Sequence, residues 1–313
     1  MNRRFLGLAA VLSLFACTSA SAPHAGLSDA AAIEAAEHAP LGAFAVNGKW
    51  NEPFAPFTVL GNIHYVGTQG VSAFLITTPR GHILIDGILP QTAPQIIANI
   101  AKLGFDIRDV KYLLNSHAHI DHAGGLAALQ RASGARMVAS AADKPILERG
   151  DVGFGPTAGM RFPPVRVDRT IGDGETVVVG GAVLTAHLTP GHTPGCTTWT
   201  MQLRGADLRP LSVLFHCSMT VAGQSLAPES YPGMVADYRR SFAKMRGLSA
   251  DVFLANHNNF FDLEAKRARQ IAGEANAFVN PAELRAFNDE LESDFNDELS
   301  RQQAAARNAK APQ

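Results

Sequence analysis

The chain has 313 residues, 46% hydrophobic and 18% charged, which is enough apolar material for a sizeable core in one or two domains. Its 27 Lys and Arg nearly balance 28 Asp and Glu, and no basic stripe with interleaved aromatics occurs, so nucleic acid is excluded as an expected partner. No apolar run reaches the roughly 18 residues that a membrane-spanning helix needs.

The first segment reads as an export signal rather than as part of the fold. MNRR is basic, FLGLAAVLSLFA is apolar but too short to span a membrane, and CTSASA offers small residues for cleavage. Residues 1–22 are therefore expected to be a signal peptide that directs the product to the periplasm. LFAC at 14–17 also resembles a lipoprotein cleavage box, with Cys17 as the lipidated residue. Phe15 is large for that box, so a soluble product is favoured. Residues 23–313 are expected to form a single catalytic domain with a helical C-terminal tail, acting as a monomer.

From residue 23 the chain is Ala-rich, and Ser28 could cap a helix over SDAAAIEAAEHA. From 57, FTVLGNIHYVGT, VSAFLITT and HILIDGIL read as short strands separated by turn signals. QTAPQIIANIAKLGF has helical spacing, with Ile96, Ile97, Ile100 and Leu103 on one side. KYLLNS is a short buried-type strand, GGLAALQRASG a helix closed by glycine, and ARMVAS the next strand. Further strand runs near 175–188, 196–204 and 211–216 precede a helix over 235–247, strand DVFLAN and a helix from 262. Each half thus reads as strands followed by strand–helix alternation. Two mixed sheets with helices on their outer faces would bury these runs. The tail from 281 places Leu284, Phe287, Leu291, Phe295 and Leu299 at three- and four-residue steps. That predicts an amphipathic helix docked on the domain and fraying into AAARNAKAPQ.

The chemistry concentrates in NSHAHIDHAGG, residues 115–125. Imidazole and carboxylate together suit a first-row divalent ion, zinc above all. His117 and His119 sit two apart and project to one side of an extended loop. Asp121 and His122 lie past the turn and can serve a second ion. His192, in TPGHTPG, and His257, in LANHNN, also follow apolar strands. Three strand ends at one edge would then hold one zinc with His117, His119 and His192 and another with Asp121, His122 and His257. Each set leaves the open position that catalytic zinc requires. His64, His82 and His187 read as structural histidines, and His216 is ambiguous beside Cys217 and Ser218. Cys196 and Cys217 could be joined in an exported protein. Two cysteines make no framework, however, and two buried or half-buried thiols are the expectation.

This ordered set resembles the metallo-β-lactamase superfamily. WNEPFAPF, NIHYVGT, HILIDG, NSHAHIDHAGG, GHTPGCTTWT and YPGMVADYRRSFAKMRGLSADVFLANH look like its subclass B3 over about residues 45–300. The resemblance implies an α/β fold, the four-layer αββα sandwich, and two zinc ions filled by the ligand sets above. It implies hydrolysis of the β-lactam amide by a zinc-bound hydroxide, with Asp121 ligating one ion and orienting the nucleophile. It also implies that Ser218 and Thr220 bind the substrate carboxylate. Glyoxalase II-like and lactonase-like relatives carry a metal-bridging aspartate where this chain has VLFHCSMTV, which contains no acid. Slipping the register there by one residue would turn Cys217 toward a zinc. Asn258 departs from the Pro that often follows the last ligand. Trp50, Phe154 and Phe162 are expected pocket walls. Asp86, Asn115 and Ser116 are expected to orient ligands. The rival expectations are another exported hydrolase of this fold, such as a lactonase, and a non-enzymatic zinc-binding protein.

Overall fold

The computed structural model describes residues 48–204 and 209–310. The expected export segment, Cys17 and the helix expected at Ser28 lie outside the described residues.

Seven strands form the first sheet in simple chain order: β1 (Phe57–Leu60), β2 (Ile63–Tyr65), β3 (Phe74–Ile76), β4 (His82–Ile85), β5 (Val110–Leu114), β6 (Arg136–Ser140) and β7 (Arg169–Ile171). β1 to β4 pair antiparallel, and β4 to β7 pair parallel. The parallel connections require crossovers, which α1 (Ala93–Lys102), α2 (Leu126–Ser133) and α3 (Lys144–Arg149) help supply. The second sheet has the order β12-β11-β10-β9-β8, with β8 (Thr176–Val179), β9 (Ala182–Leu188), β10 (Thr197–Arg204), β11 (Pro210–His216) and β12 (Val252–Ala255). Only β11 and β12 pair parallel there, across α4 (Met234–Arg246). Helices α5 (Leu263–Ile271) and α6 (Glu283–Lys310) complete the outer layer.

Alternation along each strand divides the core. On β3 and β4, Phe74, Ile76, Ile83 and Ile85 enter the core shared with the second sheet. Leu75 and Leu84 face the layer that holds Ile96 and Ile100 of α1 and Leu126 and Leu129 of α2. Strands buried on both faces read as continuous apolar runs, which is why HILI and VFLA are so hydrophobic. Phe74 of the first sheet meets Phe215 of the second edge-on at 5.3 Å between ring centres. The two mixed sheets with flanking helices are the αββα sandwich expected from the sequence.

Two local expectations need correction. The tail does not fray at AAARNAK, because α6 continues to Lys310. Leu284, Leu291, Phe295 and Leu299 anchor the helix as far as Leu299, and the strong helix formers Ala, Arg and Gln carry it onward. Cys196 and Cys217 are not free thiols but a disulfide. The reason is register: Trp199 on β10 faces Phe215 on β11, so the cysteines just outside the two strands fall side by side, with Cα atoms 5.9 Å apart.

Candidate metal centre

β5 delivers the chain to the C-terminal edge of its sheet, and the histidine loop begins three residues later. His119 opens a helical turn, Ile120–Ala123, that carries Asp121 and His122 and leaves the His122 ring 4.3 Å from that of His117. The loop following β9 brings in His192, and the loop following β12 brings in His257.

These side chains converge in two groups. Nδ1 of His119 lies 3.1 Å from Nε2 of His117 and 2.9 Å from Nε2 of His192. Nε2 of His122 lies 3.2 Å from Nε2 of His257 and 3.2 Å from Oδ2 of Asp121, and His257 Nε2 is 3.4 Å from the same oxygen. One imidazole nitrogen cannot serve several others as an ordinary hydrogen-bond partner. The spacings instead approach the edge of a tetrahedron of donors around a zinc ion, roughly 3.3 Å for bonds of about 2.0–2.1 Å. The donor set, five imidazoles and one carboxylate, suits zinc, so the residues present fit the metal.

The protonation states agree with that fit. Burial first, and then the neighbouring histidines, hold His117 and His119 well below the usual imidazole value. Burial likewise pulls His192 down to about 4. Three neutral rings thus present lone pairs. Burial also pulls His122 down, but Asp121 and Asp86 outweigh it and push the ring up to about 9. Burial pushes Asp121 up, yet His122 and His257 hold its carboxyl well below the usual range. A metal entering the second group therefore displaces a proton from His122.

Surrounding groups aim the ligands. The carbonyl of Thr220 accepts from Nδ1 of His192 at 2.8 Å, which fixes the tautomer and leaves Nε2 as the donor to a metal. Asp86, at φ 64° in the turn after β4, accepts from Ser116 N at 2.7 Å, Ser116 Oγ at 2.6 Å and Asn115 Nδ2 at 3.1 Å. Its other neighbour is His122 Nδ1, at 3.4 Å. Asp143 escaped the sequence reading. Its buried carboxylate accepts from Ala118 N, between two ligands, at 2.9 Å, from Thr193 Oγ1 at 3.0 Å and from Gly195 N at 2.9 Å. It thus latches the first histidine loop to the His192 loop. Burial pushes this carboxyl up to about 6 against those three donors. Only its position between a strand and a helix, in ADKP, could have marked it.

A cavity of about 730 Å³ opens over both groups. His119, Asp121, His192 and His257 reach it, with Ser218, Thr220 and Trp50 along its walls. The hydroxyls of Ser218 and Thr220 are 3.0 Å apart, and Trp50 lies 5.4 Å from the His257 ring. Two expected walls are elsewhere. Phe162 is 1% exposed and belongs to the core under the helices, because Phe162 N and Gly150 O bond at 3.0 Å and turn the ring inward. Phe154 packs edge-on against Tyr231 at 5.2 Å, and Pro156 and Thr157 of its loop face the cavity instead. Cys217 does not turn toward the converging ligand nitrogens. Its sulfur is in the disulfide, 3.7 Å from His117 Nδ1, on the far side of the ring from Nε2. His64 and His187 bond threonine hydroxyls, and both ring nitrogens of His216 are buried without a hydrogen-bond partner.

Sandwich and converging donors together define a metallo-hydrolase. Residues 66–206 match the metallo-beta-lactamase superfamily model. A subclass B3 metallo-beta-lactamase of Bradyrhizobium japonicum is 44% identical, with a TM-score of 0.79 over 82% of this chain and 98% of that one. A probable metallo-hydrolase of Burkholderia pseudomallei is 34% identical over 50% of this chain, which spans only 52% of that relative. An N-acyl homoserine lactonase of Agrobacterium fabrum is 28% identical over 56% of this chain and 76% of its own length. The chain belongs to the metallo-β-lactamase superfamily, and its structure lies beside the subclass B3 enzymes.

Proposed function

We propose that the protein is a zinc β-lactamase that opens the four-membered amide of penicillins, cephalosporins and carbapenems. His117, His119 and His192 would hold one ion, and Asp121, His122 and His257 the other. Bound zinc supplies the Lewis acidity and acidified water that amide hydrolysis needs at neutral pH. Asp121, catalytic in this reading, directs the attacking water from the cavity floor. Ser218 and Thr220 bind the substrate carboxylate through their hydroxyls. Trp50 covers an apolar part of the substrate. The observation that carries the reading is the Ser218–Thr220 hydroxyl pair beside the ligands, in the segment where a lactonase-type site would place a bridging carboxylate. Export to the periplasm belongs to the same proposal, and the Cys196–Cys217 disulfide supports it as a feature of oxidising compartments.

The likeness to an N-acyl homoserine lactonase gives a second reading, lactone hydrolysis by the same ligands. Turnover of a carbapenem and a chromogenic cephalosporin, measured with and without a chelator, separates the two. Activity lost with the chelator and restored by zinc is expected. No turnover by the zinc-loaded protein, with hydrolysis of an acyl homoserine lactone instead, would replace the first reading with the second.

A further inference from the structure

The residue after the last ligand makes more side-chain hydrogen bonds than its place in a loop requires. Asn258 is 5% exposed, and its side-chain amide meets four hydrogen-bonding groups. Its Oδ1 accepts from Tyr65 Oη at 2.8 Å and from Ser72 Oγ at 2.9 Å. Its Nδ2 donates to the carbonyls of Thr68 at 2.9 Å and Gln69 at 2.6 Å. Its backbone N donates to Gly70 O at 3.3 Å. All of these partners lie on the loop between β2 and β3 except Tyr65, the last residue of β2. That loop also bonds the other side of the ligand, where Ser72 N donates to Asn256 O at 2.8 Å, and Val71 bridges His257 itself.

His257 has few other contacts to set its direction. The second ring nitrogens of His192 and His122 face Thr220 O and Asp86, and that of His117 faces Ser116. Among the described residues, no hydrogen bond orients Nδ1 of His257. Its ring direction is set by its backbone and by the rings of Trp50, at 5.4 Å, and Phe260, at 5.1 Å. The same loop places one of these rings, because the Cα of Gly70 sits so close to Trp50 that an added Cβ would lie 2.5 Å from its Cδ1.

We infer that Asn258 is a positioning residue for the second metal, holding His257 and the Trp50 wall in register through the β2–β3 loop. It does by hydrogen bonding what a rigid ring at this position would do covalently. A buried amide with four partners resists displacement because each lost bond leaves a buried group unpaired. The inference rests on the two-ion reading of the site and is indifferent to the substrate.

Zinc-loaded protein challenged with graded amounts of a chromophoric chelator tests it, alongside urea unfolding. Wild type should release its two ions in separable steps. Asn258→Leu should release the weaker-held ion at roughly 10- to 100-fold lower chelator, the usual effect of losing a ligand's support, with the other step unmoved. Ser72→Ala, which removes one of the four bonds, should shift the same step by less and guards against a variant that does not fold. Equal weakening of both ions, or a lower urea midpoint with neither step moved, would overturn the inference and leave Asn258 a purely structural residue. Wild type holding a single ion would overturn the two-ion reading and this inference with it.

Discussion

His216 should make the protein selectively acid-sensitive. The ring is 1% exposed at the end of β11, packed edge-on against Phe253 at 5.7 Å and Phe287 at 5.3 Å. Burial pulls its pKa from 6.5 down to about 3. In the unfolded chain the ring protonates as pH falls through 6.5, while in the folded protein it stays neutral. Folded stability is therefore fully present above pH 6.5, declines as pH falls, and levels off only near 3. Integrated to pH 5, the loss from this residue alone is about 2 kcal/mol. His216→Leu removes the titration and the two unpaired ring nitrogens while nearly conserving volume. Urea unfolding of both proteins without metal, at about pH 7.5 and pH 5, measures the effect. The ligand histidines titrate in both proteins and cancel in the difference, as does any packing change. Wild type should lose about 2 kcal/mol more than the variant over that interval. Equal losses would show that the folded ring accepts a proton after all and would refute the reasoning.

Asp143→Ala leaves the buried N–H groups of Ala118 and Gly195 unpaired, at about 1–3 kcal/mol each, so urea unfolding should show about 3 kcal/mol of lost stability and metal assay a weakened three-histidine group. A change below about 1 kcal/mol would mean that the two loops do not need the latch. Replacing Cys196 and Cys217 together by Ala frees a loop of sequence separation 21, which chain entropy values at about 3 kcal/mol, and a shift in the urea midpoint reports it. Ser218→Ala with Thr220→Val removes both hydroxyls from the cavity wall, so KM for a carboxylate-bearing β-lactam should rise about tenfold or more with kcat less affected. A fall in kcat with KM unchanged would place those hydroxyls in the chemical step instead.

The six ligand candidates were legible because each carries a local mark. Four stand within six residues, and the other two follow apolar runs bounded by Gly, Pro or Asn. The sheets were legible from the same runs. What escaped depends on contacts distant in sequence. Asp143 is an unremarkable acid until β6 and the β9–β10 loop bring Ala118 and Gly195 to its oxygens. The disulfide needs the β10–β11 register, which no spacing of two cysteines encodes. Phe162 and Phe154 have the composition of a pocket wall, but the side to which a loop aromatic turns is decided by backbone bonds such as that between Phe162 and Gly150. Asn258 was visible as a departure from the resemblance, while its four partners lie more than 180 residues away.

The chain has two tryptophans, and the fold stations them at different posts. Trp199, on the second sheet, is wholly buried and donates through Nε1 at 3.2 Å to Asn115 O, the first residue past β5 of the other sheet. Trp50 stands at the mouth of the cavity beside His257. One indole therefore senses the alignment of the sheets and the other senses what enters between them. Intrinsic fluorescence of this protein carries two separate messages, and a Trp50→Phe variant leaves only the one from the seam.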